Sequence, residues 1–79
     1  MPNSNGKLPL AMVGTGQVVK LVGVAAGKVL SRRLAEMGLT PGVQLEVLQD
    51  QGGPLLLAVR DSRLALGRGM AHKIFVEAV

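Results

Sequence analysis

The sequence predicts a mainly β fold: a small barrel of about five short strands with one short helical insertion and a second helical turn. Three observations carry that prediction. Runs rich in valine and leucine recur at 17–24, 43–50, 55–60 and 74–79, each of strand length. Turn-forming residues separate them, notably Gly52-Gly53-Pro54 and Asp61-Ser62. One stretch, Lys28 to Met37, has helical spacing instead of alternation.

Taken in order, residues 1–7 are polar, include Pro2 and Gly6, and offer little to bury. They are expected to form a flexible N-terminus ahead of a domain spanning 8–79. Leu10 and Val13 sit three apart before Gly14-Thr15-Gly16, spacing suited to one helical turn that plugs the bottom of the core. Gln17 to Val24 is valine-rich and reads as the first long strand, with Gly23 marking a bend or bulge.

Gly27 can cap the helix that follows. Within that helix Leu30, Leu34 and Met37 recur at i, i+4 and i+7 on one face, while Arg32, Arg33 and Glu36 point elsewhere. Gly38 supplies the stop, because it alone tolerates the left-handed conformation needed just past a helix end. With Gly38 at C′, Leu34 becomes C3 and Leu39 becomes C″, the pair whose apolar contact closes a Schellman motif. Thr40-Pro41-Gly42 then turns the chain, Pro41 barring helix continuation and Gly42 suiting a tight turn.

Val43 to Asp50 alternates, with Val43, Leu45 and Val47 on the core face and Gln44, Glu46 and Leu48 on the other. Gln51 to Pro54 reads as a hairpin connection to an antiparallel run whose inward set is Leu55, Leu57 and Val59. A one-residue slip would bury Arg60, which fixes the register. Asp61-Ser62 is expected to turn into a short strand at 63–66, Gly67 to Lys73 to make one helical turn, and Ile74 to Val79 to close the sheet. Phe75, the lone aromatic, is expected in the core.

Composition narrows the function. The chain has 79 residues, 48% of them hydrophobic, with no cysteine, so disulfides and thiolate metal sites are excluded. No apolar run approaches the roughly 20 residues that span a bilayer. The Lys7 and Leu8-to-Val13 stretch, broken by Pro9, does not read as a signal peptide. A cytoplasmic location is expected. One histidine and five carboxylates at scattered positions give no metal-ligand pattern, so His72 is not assigned as a ligand and no cofactor is expected.

Ser31 and Ser62 lie in no nucleophile pattern, and the glycines lack the lysine of a phosphate-binding loop, so no enzyme is expected. A net charge of +4 suits an anionic partner. Nucleic acid is disfavoured, since small barrels that bind single strands stack bases on aromatic rings that this chain lacks. Arg32 and Arg33, with Arg63 and Arg68 considered beside them, are instead candidates for an acidic protein surface. Leu48 and Leu56, on outward registers, are candidates for an apolar patch that a partner or a second copy would cover.

The stretches PLAMVGTG at 9–16, RRLAEMGLTPG at 32–42, GGPLLLAV at 52–59 and RLALGRGMAHKIFV at 63–76 resemble the FeoA family of ferrous iron transport proteins. The resemblance covers Leu8 to Val79, and Arg33 to Gly42 is its most specific element. It implies an SH3-like barrel with a helical insertion and a small cytosolic accessory role in bacterial iron uptake. The implied partner is the FeoB membrane transporter, through its cytosolic domain, and the helix face around Arg32 and Arg33 is the contact hypothesised from the residues. The membrane is then reached only through that partner. The C-terminal domain of DtxR-type metal-dependent repressors is also similar, making a free-standing regulator the alternative, and a self-associating structural module a third.

Overall fold

A computed structural model describes residues 7–79; the expectation for the flexible N-terminus therefore lies, Lys7 excepted, outside the described residues. In chain order the elements are β1 (Leu8–Pro9), a single 3-10 turn (Leu10–Met12), β2 (Val18–Val24), α1 (Lys28–Glu36), β3 (Gln44–Gln49), β4 (Leu55–Val59), β5 (Ser62–Leu66), α2 (Arg68–Ala71) and β6 (Ile74–Ala78). The strands form one antiparallel sheet in the order β1-β6-β2-β3-β4-β5. Among the described residues the sheet does not close into a full barrel: β1 and β5 lie at its two ends and do not pair with one another.

Alternation decides which side faces inward. Leu45 and Val47 on β3, Leu55, Leu57 and Val59 on β4, and Ile74 and Val76 on β6 are all buried, and each alternates with a less buried neighbour. Leu10 and Val13 close one end of this core from the 3-10 turn, both nearly inaccessible. No charged or polar residue is buried with them among the described residues. Register is therefore set by apolar burial, since a one-residue slip would turn this set outward.

Several details depart from the sequence reading. Among the described residues the strands number six, because Leu8 and Pro9 pair with Val76 and Phe75 of β6. Two residues with a proline gave too little alternation to reveal that strand. The second hairpin turns at Arg60-Asp61 instead of Asp61-Ser62, with Ser62 already paired to Val59. Arg60 takes a φ of 55°, a left-handed angle that bulky side chains seldom adopt. Phe75 is only half-buried and shares the outward register of β6 with Glu77, so the core is wholly aliphatic.

Two irregularities shape the sheet. The β2–β6 register shifts between Leu21 and Gly23, and the β3–β4 register shifts between Val47 and Gln49. Each inserts one unmatched residue, Val22 and Leu48, which raises local twist and helps the sheet curl.

Helix α1 ends in a complete Schellman motif. The Leu39 N–H donates to the Leu34 carbonyl at 2.9 Å and the Gly38 N–H to the Ala35 carbonyl at 2.9 Å. Gly38 has φ 93°, and Leu34 and Leu39 are 2% and 1% exposed. The chain then closes a type II turn, with the Val43 N–H donating to the Thr40 carbonyl at 3.1 Å and Gly42 at φ 94°. Gly42 N–H donates to the Leu21 carbonyl at 2.7 Å, and the Leu21 N–H donates to the Val43 carbonyl at 2.9 Å. The turn is thus fastened to the middle of β2.

These contacts predict a hierarchy of thermal melts. Gly38→Ala forces a side chain into a left-handed angle and lowers stability by about 1 kcal/mol, a fall in Tm of roughly 4–8 °C for a domain of this size. A space conflict is not the cause, since an added Cβ would meet only the Val59 side chain at an ordinary 3.8 Å. Leu34→Ala empties a core position and costs about 2–5 kcal/mol. Melting curves for the two variants test both, and an unchanged Tm for Gly38→Ala contradicts the strain argument.

Candidate functional site: the outer face of helix α1

Helix α1 is short and joined to the core mainly through one side chain. Leu34 is its only buried residue, supported by the partly buried Leu30. Its N-terminus has no side-chain cap; Gly27 offers only its carbonyl, which accepts from the Ser31 N–H at 2.9 Å. The Ser31 hydroxyl in turn donates to the Ala26 carbonyl at 3.3 Å. Leu34, the Ser31 bond and the Schellman end thus hold the helix so that its other face is presented to solvent.

That face carries the candidate residues. Lys28, Arg32 and Arg33 are exposed, and none makes an ion pair among the described residues. Met37 differs from the grouping with Leu30 and Leu34 that its spacing implied. It sits at the C-cap, beyond the last helical residue, and is 39% exposed. Val29, which sequence reasoning passed over, is 78% exposed. The signal was present: Val29 precedes Leu30 and so falls off the stripe that Leu30 and Leu34 define.

The other candidates are placed differently. Leu48 is the unmatched residue of the β3–β4 irregularity, and Leu56 faces Gln49 across the same hairpin. They are near one another in the hairpin, and both are half-buried. Arg63 is exposed on β5. Arg68 is engaged: its guanidinium donates to the Asp50 carboxylate, which also accepts from the Gly52 N–H at 3.4 Å. Its Nε is buried without a partner in the structure. Arg68 therefore ties α2 to the β3–β4 hairpin, with its charge already paired.

Among the described residues no three His, Cys, Asp or Glu side chains come together, and His72 is exposed at the end of α2. An open groove of about 450 Å³ lies across β2, β3 and β4, lined in part by Val18, Gln44, Glu46 and Arg60. No helix of the described residues is long and apolar enough to cross a membrane. The arrangement can bind through charge and shape, and α1 presents Lys28, Arg32 and Arg33 on one exposed helix.

Known proteins share this chain's sequence and shape. A Methanocaldococcus jannaschii protein provisionally named Fe(2+) transport protein A is 39% identical over 69 residues, 87% of this chain and 84% of that protein. A crystal structure of an iron uptake regulatory protein, FeoA, superposes with a TM-score of 0.81 at 32% identity, covering 90% of this chain and 94% of that one. Stenotrophomonas maltophilia FeoA, a procaryotic SH3 domain protein solved with zinc, superposes at 0.76 with 26% identity, covering 86% and 87%. A manganese-dependent transcriptional repressor reaches 0.84 with 21% identity, over 99% of this chain but 48% of the repressor, a likeness of fold alone. The family model described as the FeoA domain matches residues 8–78. Matched from its first short strand to its last, and more than a third identical to a curated relative over most of both chains, the chain belongs to the FeoA domain family.

Proposed function

We propose that this chain is a cytoplasmic accessory protein of ferrous iron uptake that acts by contact with the cytosolic part of the FeoB transporter. Family membership and the iron-transport relative support the process. The observation that carries the contact is the outer face of α1, where Arg32 and Arg33 stand exposed and unpaired on a helix held at both ends. A preorganised helix loses little conformational freedom on docking, which favours affinity. In this role the protein performs no chemistry and carries no cofactor. Docking would bias either transport or nucleotide turnover by favouring one state of the transporter.

Leu48 and Leu56 form a secondary contact in the same proposal, since their half-burial leaves less surface to cover. The membrane is reached only through the partner. The repressor-like reading has the fold in its favour and no site of its own.

Reversing the charge on both arginines tests the proposal. Arg32→Glu combined with Arg33→Glu lowers affinity for FeoB-containing membranes by about tenfold or more, because like charges across an interface repel. Both side chains point to solvent, so the Tm should stay within a few degrees of the parent. Unchanged affinity with the fold intact removes these residues from the contact.

A further inference from the structure

We infer that the partner surface met by α1 is acidic and contains an apolar pocket, with Val29 and Met37 as anchors on either side of Arg33. This inference rests on the proposed contact with FeoB and specifies its chemistry. Positions 29, 33 and 37 are spaced four apart, which sets them along one row of the helix surface. Met37 is the C-cap, its N–H still donating to the Arg33 carbonyl at 3.3 Å, which keeps it one turn on from Arg33.

Isolated apolar side chains on a surface are ordinary. Here, however, two of the five large exposed hydrophobics of the described chain fall on one short helix and its C-cap, with Arg33 between them in sequence. Met and Arg are both enriched at protein interfaces, and Arg at their hot spots, where surrounding apolar contacts such as Val29 serve to exclude water.

Two features make the partner acidic. Lys28, Arg32 and Arg33 stand against a single carboxylate, Glu36, on α1. In addition, the first turn has no acidic residue and no side-chain cap, and Lys28 places a positive charge at the helix end where the macrodipole is already positive. An acidic group on the partner would satisfy both the lysine and the uncapped N–H groups. A second copy of this chain is disfavoured on the same ground, because it would bring an equally basic face.

The test uses full-length FeoB in nanodiscs of zwitterionic lipid, with empty discs containing phosphatidylglycerol as a second arm. Val29→Ala with Met37→Ala keeps helix propensity high and should leave the Tm nearly unchanged while weakening binding about five- to tenfold. Arg33→Glu should weaken it about tenfold, and parent binding should fall between 50 and 200 mM salt. If the parent binds FeoB discs and the Val29→Ala with Met37→Ala variant binds within twofold of it, the inference is overturned, and if Arg33→Glu does so as well, contact with FeoB stands through another face. Equal binding to the empty anionic discs overturns it in favour of lipid. No parent binding to FeoB discs removes the inference and the proposed contact together.

Discussion

Gly38 adopts a φ of 93°, and this one backbone angle decides where the helix ends, where Leu39 goes and how the chain enters β3. Had α1 continued, Leu39 would have stayed on the helix and Thr40-Pro41-Gly42 could not have reached β2. Instead the reversal sends Leu39 into the core beside Leu34, and a second positive-φ glycine, Gly42, brings its N–H to the Leu21 carbonyl. A buried leucine, two terminal hydrogen bonds and a fastened turn together anchor a helix that otherwise has little contact with the core. The exposed face of α1 is a consequence of that economy: with Leu34 alone fully buried, most of the remaining side chains are left to solvent.

Much of this was readable from residues because the determinants are local. The spacing of Leu34, Gly38 and Leu39 specifies a Schellman end, and Pro41-Gly42 specifies a type II turn, with no knowledge of the rest of the chain. The inward set Leu55, Leu57 and Val59 followed from the cost of burying Arg60. What could not be read depends on distant partners. β1 exists only because β6 lies beside it, and two residues with a proline carry no pattern of their own. Phe75 was placed in the core by its chemistry, yet the parity of β6 turns it outward and gives the interior to Ile74 and Val76. The turn at Arg60-Asp61 defied composition because a non-glycine residue holds the left-handed angle, imposed by the pairing of Val59 with Ser62.

The candidate surface was legible to the same degree and for the same reasons. Helical spacing separated Arg32 and Arg33 from Leu30 and Leu34, which is enough to put the arginines outside. It was not enough for Met37, whose exposure depends on the helix stopping one residue earlier, nor for Arg68, whose engagement by Asp50 joins residues 18 apart. The structure thus redistributes the basic residues: Arg68 is engaged by Asp50 and Lys20 pairs with Glu77 across neighbouring strands at 3.7 Å. Exposed pairs of that kind add little stability. The cations of α1 remain without such partners among the described residues, as do the exposed Arg60, Arg63 and Lys73.

Hydrogen exchange measured along the chain with and without FeoB-containing membranes tests the central claim most directly, since a docked helix opens less often than a free one. The account predicts added protection concentrated in residues 28–38, with the core strands β4 and β6 unchanged. Protection confined to the β3–β4 hairpin or to β5, with α1 exchanging as in the free protein, would contradict it.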